Sequence, residues 1–146
     1  MFSLSSKPID ADALKSLVNT QEAGAYVAFE GWVRDHNEGR QVTGLEYEAY
    51  EALAVKEGNK ILEEAQKFSI LKAHCVHRTG ALKIGDMAVM VVVSSAHRKE
   101  AFVACEFIIN EIKKRVPIWK RETYDDGSTS WVNCAHGHKT AHGAKS

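Results

Sequence analysis

Proline is scarce in this chain of 146 residues, with two in all, and cysteine nearly as scarce, with three. With so little proline beside 45% hydrophobic and 26% charged residues, the composition excludes a disordered chain and fits a soluble globular protein. Cys75, Cys105 and Cys134 are odd in number and form no CxxC pair, which argues against a disulfide framework and for reduced thiols in a cytoplasmic protein. Neither sign of charge is in excess, at 19 basic against 19 acidic residues, so a general nucleic-acid or membrane-surface binder is excluded. Nowhere do apolar residues run to the ~20 that a membrane span needs, and residues 1–7 lack a basic region followed by an apolar run. A glycine-rich phosphate loop, GxSxG and HExxH are absent too.

What is present reads as one α+β domain over residues 1–134, with a flexible tail at 135–146 rich in Gly, His and Lys. Asp10 is an N-cap for a short helix that ends before Gly24. Residues 25–34 and 42–50 alternate as half-buried strands around a polar turn and predict a long hairpin, with Val27, Phe29, Gly31 and Val33 on one face of the first strand. Helical spacing over residues 51–68 predicts a long helix weakened at Gly58 by about 1 kcal/mol relative to Ala. A strand at 70–77, a turn at 79–86 and a central strand at 87–93 buried on both faces follow. The longest helix carries Ala101, Cys105, Ile108, Ile109, Ile112 and Val116 on one stripe, and Pro117 ends it. A last hairpin turns at Asp125, Asp126 and Gly127. The sheet is thus expected to be rich in antiparallel pairs and packed against two long helices.

Three groups of residues carry chemistry. His97 and Arg98 stand in the first turn of the longest helix after Ser94 and Ser95, where cations oppose the positive end of the helix dipole unless an anion binds both. The bland alternative is a solvated His and an Arg paired with Glu100 or Glu51. At the other end of the helix begins the densest basic stretch, five cations within residues 113–121, among them Lys113 and Lys120 on either side of Pro117. If the chain reverses there, two amines share one pocket and disfavour each other's charge, suiting one for acid/base or nucleophilic work; solvated lysines at a negative dipole end are the competing reading. Arg34 closes the first long strand beside His36 and Arg40. Cys134, His136, His138 and His142 have zinc-ligand chemistry in a spacing that matches no tetrahedral site.

Several segments then fall in register: Phe29-x-Gly31-x-Val33-Arg34-x-x-Asn37-x-Gly39; Leu45-x-Tyr47-Glu48-x-Tyr50; His77-Arg78-x-Gly80-x-Leu82-x-x-Gly85; Ser94-x-x-His97-Arg98-x-x-Ala101-Phe102; and Lys113-x-x-x-Pro117-x-Trp119-Lys120-x-Glu122. Together, over about residues 25–132, they resemble the MoaE family, the large catalytic subunits of molybdopterin synthase. The resemblance implies an α+β fold with an α/β hammerhead-like core. It implies a sulfurtransferase that converts cyclic pyranopterin monophosphate into molybdopterin, each sulfur coming from the C-terminal thiocarboxylate of a small ubiquitin-like partner whose Gly-Gly tail enters the pocket. It implies a homodimer with one partner at each end, a heterotetramer, and neither a cofactor nor a metal. Lys113 and Lys120 match the family's active-site lysines, Arg34, His97 and Arg98 its substrate-binding cations, and Trp32, Val33, Arg121 and Glu122 pocket-lining positions. The cysteines match no required position, and beyond about Asn133 the short tail departs from the family, with Lys139 the candidate for any cross-subunit basic residue. Readings from other classes are a non-catalytic module that captures an acidic C-terminal tail and a zinc-binding regulator acting through the His-rich tail.

Overall fold

The apolar run near residue 90 becomes the axis of the fold. The computed structural model describes residues 1–133, and in chain order these form β1 (Phe2–Ser5), α1 (Ala11–Val18), β2 (Ala25–Trp32), β3 (His36–Asn37), β4 (Arg40–Ala49), α2 (Glu51–Glu64) with a 3₁₀ turn at Ala65–Phe68, β5 (Lys72–Arg78), β6 (Gly80–Leu82), β7 (Met87–Ser95), α3 (Arg98–Arg115), β8 (Ile118–Tyr124) and β9 (Thr129–Asn133). Two sheets result. One runs β1-β5-β7-β2, with β1 parallel to β5 and the other pairs antiparallel; the second runs β3-β4-β8-β9, with β6 also paired to β4. The class is α+β, as expected. The tail expected to be flexible, with Cys134, His136, His138, Lys139 and His142, lies outside the described residues.

β7 is buried on both faces because helices cover both. Val89, Val91 and Val93 join the main core with Ile61 and Leu62 of α2 and Ala101, Ala104, Ile108 and Ile112 of α3. Met90 and Val92 point the other way, onto Leu14 and Val18 of α1. Period-two alternation along the strand sorts its side chains between the two layers.

Three expectations needed correction. Residues 25–34 and 42–50 do not make a hairpin: β2 pairs with β7 in the first sheet, while β4 pairs with β8, β6 and β3 in the second. The alternation was real, but the partners are others: β7, buried almost throughout, pairs with β2, and β8, which buries Ile118, Glu122 and Tyr124, pairs with β4. The turn at 79–86 contains β6, which crosses from one sheet to the other directly after β5. The face expected to carry Val27, Phe29, Gly31 and Val33 is not buried throughout: Val33 is buried, but Phe29 is 38% exposed on this edge strand. Gly58 also has a reason beyond helix propensity: a Cβ there would lie 2.2 Å from Cγ of Phe2, so the missing side chain is what lets β1 seat its ring on α2. Among the described residues no helix is long and apolar enough to cross a membrane.

Candidate active site

Pro117 forces Val116 out of helical geometry, to φ −81° and ψ 126°, and the buried side chains of Val116 and Ile118 anchor the reversal on the core. The chain emerges as β8 in the second sheet. Along β8, Lys120, Glu122 and Tyr124 share one face. β4 is its antiparallel neighbour, and directly opposed residues share a face, which places Tyr47 beside Lys120 and Leu45 beside Glu122.

Glu122 is the polar hub, 3% exposed. Its carboxylate accepts two hydrogen bonds from Asn37 Nδ2 (3.0 and 3.1 Å), one from Tyr124 Oη (2.9 Å), and an ion pair from Lys120 Nζ (3.4 Å). Burial pushes its carboxyl pKa up, but the Asn37 bonds, the Lys120 charge and the Tyr124 hydroxyl together outweigh that and hold it below the usual carboxylate range. Tyr124 shifts the opposite way, raised by burial and by donating to that carboxylate. Lys120, with a side chain 24% exposed, is thereby fixed at one end while its ammonium stays reachable.

His77 lies within electrostatic reach of the other lysine. Its ring is buried, and Nδ1 lies 2.8 Å from the Arg78 carbonyl, which can only accept; Nδ1 therefore carries the proton and Nε2 keeps its lone pair. Burial, partly opposed by that bond and reinforced by the Lys113 charge, lowers its pKa to about 4, so the ring is neutral at pH 7. The same ring packs edge-on against Tyr47, centroids 4.8 Å apart. Lys113 thus acts electrostatically on His77, His77 touches Tyr47, and Tyr47 adjoins Lys120: the two lysines, from α3 and β8, converge on one aromatic pair.

The other expected residues lie elsewhere. His97 and Arg98 are exposed at the start of α3, and Lys113 stands about 24 Å from His97 along the axis at a rise of about 1.5 Å per residue. One chain cannot bring both ends of α3 to one small molecule. Nor is there a seryl cap: β7 runs through Ser95, the Oγ of Ser95 donates to the His97 carbonyl, and His97 itself is the N-cap residue. Arg98 forms no ion pair with Glu100, Glu51 or any other described residue. Arg34 is exposed three positions before Asn37, whose bonds to Glu122 draw that loop toward the lysines. Trp32 is 67% exposed and its indole N–H donates to Glu30; Val33 is buried, its N–H taken by the Asp86 carbonyl and its own carbonyl by the N–H of Gly85. Arg121 is on the opposite face of β8 from Lys120, paired with Glu46 at 2.6 Å and stacked near Trp131.

Tyr47, His77, Asn37 and Tyr124 received no role from the sequence. The first three stand within the quoted motifs, but only the sheet register shows that they meet. Of the neighbours of Lys113, Arg115 ties α3 to α2 through Glu57 and Glu64 besides Glu111 on its own helix. Burial pushes the Cys75 thiol up to about 12 and the Cys105 thiol up to about 11, so neither offers a thiolate for sulfur relay near neutral pH. Among the described residues no group of three or more His, Cys, Asp or Glu could hold a metal.

Comparison with known proteins bears on the family of the chain. A family model described as MoaE protein matches residues 4–115. A molybdopterin synthase catalytic subunit from Pyrococcus abyssi is 48% identical over 133 residues, covering 89% of each chain, and one from Bacillus subtilis is 42% identical, covering 90% of this chain and 83% of its own. The crystal structure of molybdopterin synthase from Staphylococcus aureus superposes with a TM-score of 0.85 at 37% identity, over 90% of this chain and 96% of the other. At 23% identity and a TM-score of 0.73, a chain from the protein–protein complex of subunits 1 and 2 of the Helicobacter pylori molybdopterin-converting factor shares the fold, over 90% of this chain and 88% of that one. With the family model spanning most of its length and relatives this similar over nearly all of it, the chain belongs to the MoaE family, the catalytic subunits of molybdopterin synthase.

Proposed function

We propose that Lys113 and Lys120 are the working cations of this sulfurtransferase, acting on the thiocarboxylate tail of a small ubiquitin-like subunit and on cyclic pyranopterin monophosphate. The observation that carries the reading is the convergence of the two lysines, from α3 and β8, on the Tyr47–His77 pair. Glu122 pairs with Lys120 and orients it, while the charge of Lys113 acts on the neutral His77 ring. Two ammonium groups so placed orient an anionic tail, stabilise the charge that develops as sulfur leaves the acyl carbon, and move protons during the two transfers. Arg34, on the loop that Asn37 ties to Glu122, is the third cation of this pocket.

His97 and Arg98 serve the phosphate from a second copy of the chain. Their separation from Lys113 along α3 excludes a contribution within one chain to one small substrate, and β2 leaves an unpaired edge on which pairing across a twofold axis can build. Tyr26 and Phe29 on that strand and Phe102 and Val103 on α3 are exposed apolar side chains suited to the contact. The assembly is then a homodimer with a small subunit at each end.

Incubation with cyclic pyranopterin monophosphate and the thiocarboxylated partner, read by product fluorescence after oxidation, tests the reading. Product with the native chain and none with Lys113→Ala or Lys120→Ala is the expected result. Normal yield from both variants overturns the lysine roles; retention of the partner without turnover would mark a binding module instead. A monomer at all concentrations by light scattering overturns the shared site.

A further inference from the structure

Arg40, Arg115 and Arg121 each meet a carboxylate. Arg78 is the most enclosed arginine of the described residues, at 8% exposed, and it meets none. Its Nη2 reaches only the Ser6 carbonyl, at 3.4 Å, and its Nε is fully buried without a partner. The guanidinium is a permanent cation, and one withdrawn from water without a counter-charge is an unfavourable arrangement; of the buried side-chain atoms without a hydrogen-bond partner among the described residues, the others being Ser94 Oγ and Glu100 Oε1, its Nε is the cationic one.

Alternation along β5 explains its place. His77 turns toward α3 and the lysines; Arg78, the next residue, turns to the α1 side of the sheet, past Val76 and the small cluster of Leu14, Val18, Met90 and Val92. There it lines an open cavity of about 430 Å³. Pro8, Ile9, Ala81 and Met87 supply apolar walls, and Lys83 and Asp86 the other charges. The Asp86 carboxylate is already engaged, accepting the Lys83 backbone N–H at 2.8 Å. Two cations against one carboxylate leave a single positive charge to be met. A planar guanidinium beside a lysine matches a carboxylate, and the walls match a short hydrocarbon body.

We propose that this cavity is a second binding site of the chain, for a small monocarboxylate with an apolar body, held by Arg78 and Lys83. It lies on the opposite side of β5 from the Tyr47–His77 pair and does not rest on the roles given to the lysines. Titrating the full isotope-labelled chain with 4-methylpentanoate and following the Arg78 Nε–H and the amides of Ile9, Ala81 and Met87 by NMR tests it. The expected result is a saturable shift confined to these groups, no response to 4-methylpentanamide, and binding of inorganic phosphate weaker by about tenfold or more. Arg78→Gln is expected to abolish the shift. Should that variant fail to fold, Lys83→Gln and Lys83→Glu carry the test, with affinity falling several-fold in the first and further in the second. No saturable shift at millimolar acid, an equal response to the amide, phosphate binding as tight as the carboxylate, or unchanged affinity in Lys83→Glu would each overturn the proposal.

Discussion

The two ends of α3 carry cations of opposite circumstance. At the C-terminal end Lys113 meets the favourable end of the helix dipole, and its fellow Lys120 is held by a buried carboxylate that two other side chains, Asn37 and Tyr124, also hold. At the N-terminal end His97 and Arg98 face the unfavourable end, exposed and, among the described residues, unpaired. The first end is organised before any ligand arrives; the second becomes favourable only when an anion does. If the roles proposed above hold, fixed geometry serves the reactive acyl sulfur, and the solvated cations gain their partner only with the phosphate.

Removing either lysine should break the comparison most sharply. Lys113→Ala or Lys120→Ala is expected to lower turnover on the order of 10²–10³-fold, the size of a lost transition-state charge contact, while the thermal midpoint of Lys113→Ala stays nearly unchanged. A loss of turnover matched by unfolding would count against a catalytic role. The next largest effect is in pH. Below pH 6.5 the unfolded chain takes up a proton on His77 that the folded chain refuses until about pH 4. Stability should therefore be full above pH 6.5 and fall as pH drops across that window, by about 3 kcal/mol. Urea unfolding of His77→Asn, which retains a donor for the Arg78 carbonyl, should show that part of the slope removed. What remains belongs to groups such as Glu122, whose lowered pKa makes its stabilisation present above the ordinary carboxylate range and lost below it.

Glu122→Gln should cost about 2 kcal/mol in the same assay, because Asn37, Tyr124 and Lys120 lose a common charged acceptor. A cost near zero would show that the hub is not fixed by its partners. The smallest effect belongs to the open end. His97→Ala and Arg98→Ala are expected to raise KM for the phosphorylated substrate about tenfold, with stability changed by no more than about 0.5 kcal/mol, as for other exposed side chains. A large loss of stability would mean that these cations have intramolecular work that their exposure does not suggest.

Local pattern was enough for much of the fold. Asp10 caps α1 through its side chain, as expected, accepting from the Ala13 N–H. The apolar stripe of α3, its end at Pro117 and the β8–β9 hairpin are all encoded within a few residues and all form. Strand partnership was not encoded locally. The alternation of β2 and β4 says that each has a buried face, and nothing in it says against which neighbour. β1 was missed because four residues at a terminus carry too little pattern, and it is held by its parallel pairing to β5 and by the Phe2 ring over Gly58.

By itself the sequence determined which residues bear charge, where helices start and stop, and, through motifs in register, the family. Only the tertiary structure decided which of those charges face the same side chains. The register of β8 on β4 sets Lys120 opposite Tyr47, whose ring meets His77, the residue on which the Lys113 charge acts, and Arg121 is turned to the opposite face from Lys120 by the pleat. His97 and Arg98 are separated from them by the rigid length of the same helix that carries Lys113. Spacing along a chain fixes distance only within one element; between elements it is fixed by which apolar faces bury one another.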